Sequence, residues 1–201
     1  MLFHEPWFGA DYYEKHKEFG LDYLVFGNWQ LEHAQMVKAI CASMGLKIQG
    51  SGTECQILDL GCACGSIAEG LRQVFKVPIF GIDPSEHMIR LGRARFKDLD
   101  LRVGSGMDMR MFRDESFGLI HSMQVFEHLL PHCVKSVFFE MRRILMPNGL
   151  CLAYLDYPDA PGAKDDCTHT CLRDVLWWKV VAHECGFWTS GERPLVFTKR
   201  R

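Results

Sequence analysis

The sequence predicts a doubly wound α/β fold, a parallel sheet wrapped by helices and preceded by an N-terminal helical cap. Three observations predict it. ILDLGCACG (Ile57 to Gly65) followed by IFGID (Ile79 to Asp83) reads as a strand, a thin small-residue loop, a helix, and a second strand ending in an acid. From Gln56 onward, short apolar runs alternate with amphipathic stretches, the pattern of a parallel sheet covered on both faces. Residues 1–50 lack that alternation and crowd Trp7, Phe8, Tyr12, Tyr13, Phe19, Tyr23, Phe26 and Trp29 ahead of a helical pattern from about Gln30 to Met44. They read as a cap outside the wound core, and the domain proper as 51–201.

Each element follows in order. Strands are expected at 56–60, 79–83, 101–103, 118–122 and 150–156, and helices at 66–76, 85–96 and 132–146. Ser66 and Glu69 have capping-box spacing, and Pro78 stops the first of these helices. After Asp156 comes a Pro/Gly loop, YPDAPGAKDD, then a helix beginning at Thr168 or Leu172 and running to Cys185. Gly186 lies where a left-handed residue would close that helix. A last apolar run, PLVFTK, completes the sheet, its final strands abbreviated, and Lys199-Arg200-Arg201 reads as a solvated tail.

The loop between the first strand and helix narrows the ligand. Gly61 and Gly65 permit close backbone approach, and Cys62, Ala63 and Cys64 keep the turn thin. Asp83 ends the second strand where it can accept hydrogen bonds from a ribose, which points to an adenosine-containing cofactor; its other reading is to cap the helix starting near Ser85. A dinucleotide loop needs G-x-G-x-x-G, and here Ala63 occupies the middle position with no glycine three residues after Gly65. Nor is there a Lys and Ser/Thr after Gly65 to cradle triphosphate. Asp59, beside the loop, suits a cationic sulfonium or ammonium better than a phosphate.

With these residues in place, the chain resembles the class I S-adenosylmethionine-dependent methyltransferases of small-molecule type. DLGCACG is similar to the family's glycine-rich motif, GIDPSEHM to its ribose-binding acid and following helix, FRDESFGLIHSMQVFEHL to its fourth strand and loop, and RRILMPNGLCLAY to its turn into strand five. The resemblance runs from Ile57 to Tyr154 and on toward the C-terminus. It implies a mostly parallel, seven-stranded Rossmann-like sheet, S-adenosyl-L-methionine as cofactor, and an N-terminal cap that shapes the acceptor pocket. It also implies cofactor contacts from Asp59, Gly61, Cys62, Ala63, Gly65, Asp83, Pro84, Met88, Gly106, Met107, Asp108 and Gln124, with Val125 beside the last. Gly118, Asn148 and Ser105 depart from the pattern. Asn tolerates a left-handed turn, and Asp108 stands in for the adenine contact that Ser105 lacks.

His128, in FEHL, follows strand four at the carboxyl side of the sheet and is the candidate catalytic residue, either as a base or in a positioning role. Tyr13 and His121 are alternatives. No metal is expected. Cys167, His169 and Cys171 cluster in sequence, with His183 and Cys185 following, but if residues 171–185 form one helix the later pair lies about 18 Å along the axis from Cys171, too far to share one zinc with it, and Cys62 and Cys64 read as loop fillers.

A net charge of −2 provides no extended cationic field, so nucleic acid is not an expected partner. Nine cysteines, an odd number with two in the loop, read as reduced thiols, and no apolar run reaches the ~20 residues of a membrane span. The expected protein is cytoplasmic, away from the membrane, and methylates oxygen or nitrogen of a small-molecule acceptor. A nucleotide-dependent oxidoreductase and a non-catalytic cofactor-binding subunit are the alternatives.

Overall fold

A computed structural model describes residues 8–18, 23–48, 55–192 and 194–199. Trp7, Phe19, Arg200 and Arg201 lie outside the described residues. Seven strands form one sheet in the order β3-β2-β1-β4-β5-β7-β6. These are β1 (Gln56–Leu60), β2 (Ile79–Asp83), β3 (Asp100–Val103), β4 (Phe117–Met123), β5 (Leu145–Tyr154), β6 (Phe187–Gly191) and β7 (Leu195–Lys199). The helices are α1 (Ala10–Glu18), α2 (Asn28–Ser43), α3 (Ser66–Phe75), α4 (Glu86–Arg95), α5 (Val134–Ile144) and α6 (Val175–Glu184). The chain divides into two compact units, Met1–Ser105 and Gly106–Arg201.

In the first unit β1, β2 and β3 pair in parallel, with Asp59 opposite Gly81 and Asp83 opposite Val103. β1 is almost wholly buried, as its continuous apolar run requires. Helix α2 buries Gln30, His33, Ala34, Val37 and Cys41, one face at helical spacing, against α3. The helices approach closely because α3 carries Gly70 at the contact: a Cβ there would lie 2.6 Å from the Gln30 carbonyl oxygen. Gln30 also orders the start of α2, accepting from Gly27 N–H at 2.8 Å and donating to the Val25 carbonyl at 2.7 Å.

The capping box expected at Ser66 and Glu69 does not form. Gly65 is the residue before the helix, at φ 84°, and Glu69 turns instead to Arg72 and Gln73 on its own helix. A left-handed residue at the loop's end turns the chain so sharply that no side chain is required to start α3. The helix closes at Phe75, ahead of Pro78, with Lys76 left-handed at φ 56°.

In the second unit β4 and β5 are parallel, β7 is antiparallel to β5, and β6 is antiparallel to β7. Strand β5 begins five residues earlier than expected, and its register against β4 shifts between Phe117, opposite Leu145, and Leu119, opposite Leu150. The Pro147-Asn148-Gly149 turn is the extra length, and Asn148 takes the left-handed conformation at φ 64°. Helix α5 starts at Val134, after a short 3-10 turn at Pro131–Cys133. Helix α6 starts at Val175, later than either expected residue, because Asp174 caps it by accepting from Trp177 N–H at 2.8 Å. Gly186 closes it at φ 88°, as the sequence implies.

Lys199 is not part of a solvated tail. It is buried, donating to the Leu145 carbonyl at 2.7 Å and to Glu115 at 2.9 Å. The alternation of β7 turns this residue inward, and its ammonium reaches the strand end that β5 leaves open.

Gly70→Val is expected to lower stability by about 2 kcal/mol through overpacking of α2 on α3. A urea midpoint that falls with unchanged slope checks it; an unmoved midpoint contradicts the close approach.

Candidate functional site

At the carboxyl ends of β1 and β2, the loop from Gly61 to Gly65 is pinned to its neighbour by backbone bonds. Gly61 and Cys62 N–H both donate to the Ile82 carbonyl, at 2.8 and 3.0 Å. Gly61, Ala63 and Gly65 take φ of 75°, 47° and 84°, so three of five residues are left-handed and the turn curls tightly. Ala63 does so despite its Cβ. Its N–H donates to Asp83 Oδ2 at 2.9 Å, and Ser85 N–H donates to Asp83 Oδ1 at 2.8 Å.

Both sequence readings of Asp83 meet here. Asp83 steadies the turn into α4, but the cap itself is Ser85, whose hydroxyl accepts from Met88 N–H at 3.3 Å. Each carboxylate oxygen keeps a second lone pair for a hydroxyl donor. Burial pushes Asp83 up to about 6; the two backbone donors oppose that rise, and the charge of Asp59, buried in β1, adds to it.

Small residues let the loop lie on the sheet. A Cβ on Gly81 would sit 2.7 Å from Cys62 Sγ and 2.6 Å from Leu101, and one on Gly92 of α4 would collide with the Cys64 carbonyl. Burial raises the Cys62 thiol well above its ordinary value and takes Cys64 to about 11. Both are buried thiols small enough for the thin turn. Cys64 also ties the loop to the aromatic segment by donating to the Tyr23 carbonyl at 2.6 Å. Around that contact Tyr13, Cys64 and Met88 form a buried cluster with Phe8, Tyr12, Tyr23, Leu24, Ala63 and Leu91 packed against it. Tyr13 meets Tyr12 and Tyr23 edge-on, at 5.1 and 5.0 Å. Burial, then the nearby Asp83 charge, holds its phenol far above the ordinary value. Pro84 is half-buried beside Asp83.

In the second unit Gly106 and Met107 are half-buried. Asp108 is exposed and held by Arg110 in two bonds of 2.8 and 2.6 Å, which bring it down to about 2. His121, one of the alternatives, is fully buried in β4 with its ring 5.7 Å from that of Tyr154. Past β4, Gln124 is left-handed at φ 54°, donates its N–H to the Tyr154 carbonyl at 2.7 Å, and places its amide 3.3 Å from Asp156 Oδ1. Val125 precedes the short 3-10 turn Phe126–His128.

That turn presents a group the sequence reading largely missed. Glu127 is fully buried, its Oε1 accepting from Asp156 N–H at 3.1 Å, and burial pushes its carboxyl up to about 8. His128 Nδ1 lies 2.9 Å from Thr168 Oγ1, which donates to Asp166 Oδ1 at 2.6 Å. Burial alone would raise Asp166; the hydrogen bonds from Thr168 and the nearby imidazoles bring it below the ordinary carboxylate value. His169 packs edge-on to His128, ring centres 4.6 Å apart. The cysteines near His169 stay apart from this group, Cys167 being exposed and Cys171 buried, and no disulfide joins cysteines among the described residues. The signals in the chain were the cluster of Cys167, His169 and Cys171, read there with the cysteines as its partners, and the acid next to His128.

Comparison with known proteins decides which family this geometry belongs to. A family described as "Methyltransferase domain" matches residues 58–153, from within β1 to near the end of β5. Residues 58–153 are a class I S-adenosylmethionine-dependent methyltransferase domain. S-adenosylmethionine is the cofactor of such a domain, and the twisted loop with its buried acid fits the sugar of that molecule. The chain is 29% identical over 126 residues to the cyclopropane-fatty-acyl-phospholipid synthase of Escherichia coli, a match covering 62% of this chain and 31% of that enzyme. It therefore spans less than a third of that curated relative. Among solved structures it is similar to one from the complex of the Haloferax volcanii Trm112 methyltransferase activator with a methyltransferase. That match has 17% identity and a TM-score of 0.69, and covers 98% of this chain and 97% of the other. It is also similar to Haemonchus contortus phosphoethanolamine N-methyltransferase 2 solved with S-adenosyl-L-methionine, at 19% identity and a TM-score of 0.58, covering 76% of this chain and 36% of the other. At these identities the structural likenesses establish the fold. Among the described residues no helix is long and apolar enough to cross a membrane.

Folding raises Glu127 from 4.5 to about 8, so its contribution to stability is full below pH 4.5 and lost as pH rises through 8. Glu127→Gln keeps the oxygen that accepts from Asp156 and removes the charge. In chelator-containing buffer it should gain on the unsubstituted chain between pH 5 and 9, on the order of 3 kcal/mol. Parallel urea midpoints against pH would show that Glu127 does not titrate there.

Proposed function

We propose that this chain transfers a methyl group from S-adenosylmethionine to oxygen or nitrogen of a small-molecule acceptor. When bound, the cofactor supplies a methyl carbon already activated by its sulfonium. The protein's task is then mainly to hold the partners in line. The observation that carries the reading is the Ala63 N–H to Asp83 Oδ2 bond of 2.9 Å, which joins the thin loop and the acid into one rigid cradle. Asp83 accepts from the ribose hydroxyls, Met88 and Pro84 border the adenine, and the buried charge of Asp59 favours the cation.

On the acceptor side the reading rests on His128. Asp166 is ionised and accepts the Thr168 hydroxyl proton, so Thr168 Oγ1 accepts from His128 Nδ1–H. The other ring nitrogen, Nε2, is then the basic one. It takes up the acceptor's proton directly, or its lone pair serves a cation as argued below. Tyr13 and the aromatic segment, packed on the loop, shape the pocket in the first unit.

The relation to the Escherichia coli synthase favours a second reading, a carbon acceptor on an apolar chain. Labelled S-adenosylmethionine incubated separately with aqueous metabolites and with lipids distinguishes the two. Label in the aqueous fraction alone supports the first reading, and label in lipid overturns it.

Two measurements check the residues. S-adenosylhomocysteine affinity should fall as pH drops through about 6, because protonation of Asp83 removes an acceptor, by up to about tenfold per unit. Asp83→Asn should weaken binding by about 10- to 100-fold at pH 7.5 and flatten the profile; a wild-type profile in that variant excludes the ribose role. His128→Gln should cut turnover and leave S-adenosylhomocysteine affinity unchanged, and unchanged turnover removes His128 from the reaction.

A further inference from the structure

Glu127, His128 and His169 each bring one ligand-type atom to within 4.8 Å of the others. They come from two elements of the second unit, the 3-10 turn after β4 and the loop between β5 and α6. Besides the Thr168 contact to His128, bonds fasten that loop to the turn and the residue after it: Cys171 N–H to the Glu127 carbonyl at 2.8 Å, and Thr170 Oγ1 to the Leu129 and His128 carbonyls at 2.9 and 3.2 Å.

The hydrogen bonds fix which ring nitrogens are basic. His169 Nδ1 lies 2.6 Å from the Ala163 carbonyl, which can only accept, so Nδ1 carries the proton and Nε2 the lone pair. His128 is set in the same tautomer by Thr168 and Asp166. Both imidazoles thus give their Nδ1–H to a protein oxygen, the arrangement that orients a ligating histidine.

Glu127 adds the third donor atom. Its Oε1 accepts from Asp156, but Oε2 is buried and has no hydrogen-bond partner among the described residues. A buried polar atom left in this state costs about 1–3 kcal/mol, and a cation held by the three clustered groups gives it a partner.

We propose that Glu127, His128 and His169 bind a divalent first-row transition-metal cation such as Zn²⁺ or Co²⁺. Two imidazoles and one carboxylate suit these ions better than Mg²⁺ or Ca²⁺, which prefer all-oxygen shells. Ligand atoms of a tetrahedral site stand ~3.4 Å apart, so small side-chain rotations close the set. Asp166, with Oδ2 3.8 Å from His169 Nε2, supplies an outer negative charge. Three protein ligands leave a coordination position open. Resting on the methyl-transfer reading, that position takes the acceptor's oxygen or nitrogen and lowers its proton affinity.

Calorimetric titration of the chelator-treated full chain with Zn²⁺, and with Co²⁺ followed by visible absorption, tests the site. The expected result is one equivalent of metal and Co²⁺ bands without thiolate charge transfer. His169→Ala and Glu127→Gln should each weaken binding at least about 100-fold, and Cys167→Ser should leave it unchanged. His169→Asn, with the fold of every variant checked by circular dichroism, guards against loss through misfolding. No binding by the parent chain, undiminished binding by folded His169 variants, or a thiolate band abolished by Cys167→Ser overturns the site. S-adenosylhomocysteine titrations on the same samples separate the two ideas. Cofactor binding without metal binding removes only the metal site, and metal binding without cofactor binding removes only the methyl-transfer reading.

Discussion

The hydrogen bond from Ala63 N–H to the Asp83 carboxylate is the constraint on which the first unit depends. It requires the loop after β1 to curl through left-handed conformations, so the loop must be made of glycine and small residues. It requires the loop to lie flat on the sheet, so residue 81 must lack a side chain. It also requires a carboxylate to stay in a buried position, where two backbone donors offset part of the loss of water. Glycines at 81 and 92 and the thiols at 62 and 64 are consequences of that one contact.

The aromatic segment extends the same logic. Tyr13, Tyr23 and their neighbours pack on the loop at Cys64 and on Met88. Helix α2 is held separately, through the close approach of Gln30 to Gly70. Among the described residues, the N-terminal segment is anchored to the loop, to α3 and, through Phe26 on Phe96, to the end of α4.

The second unit is organised by a chain of polar contacts. Asp166 orients Thr168, Thr168 orients His128, and the backbone of residues 170 and 171 docks on the turn that carries Glu127. A buried acid and two imidazoles of matched tautomer result from that order. No local signal announces it: Glu127 and His169 are 42 positions apart.

Most of the strand and helix framework was legible in the chain, because apolar runs, Pro78, Gly186 and the loop glycines act on their nearest neighbours. Gln56–Leu60 and Ile79–Asp83 fall where periodicity puts them. The capping of α3 was misread because Gly65 and Ser66 both satisfy local rules, and only the packed turn selects between them. Lys199 was misread because a terminal cation looks solvated until β7 finds β5 and Glu115. Asp108, expected to meet the adenine, is paired at the surface with Arg110, two residues on. The sequence by itself determined the alternation of elements, the thin loop and the acid two strands' length away, since these rest on backbone geometry and side-chain size. Tertiary structure alone decided which polar groups share a site, because hydrogen bonds and buried charge depend on distances that only the folded chain sets.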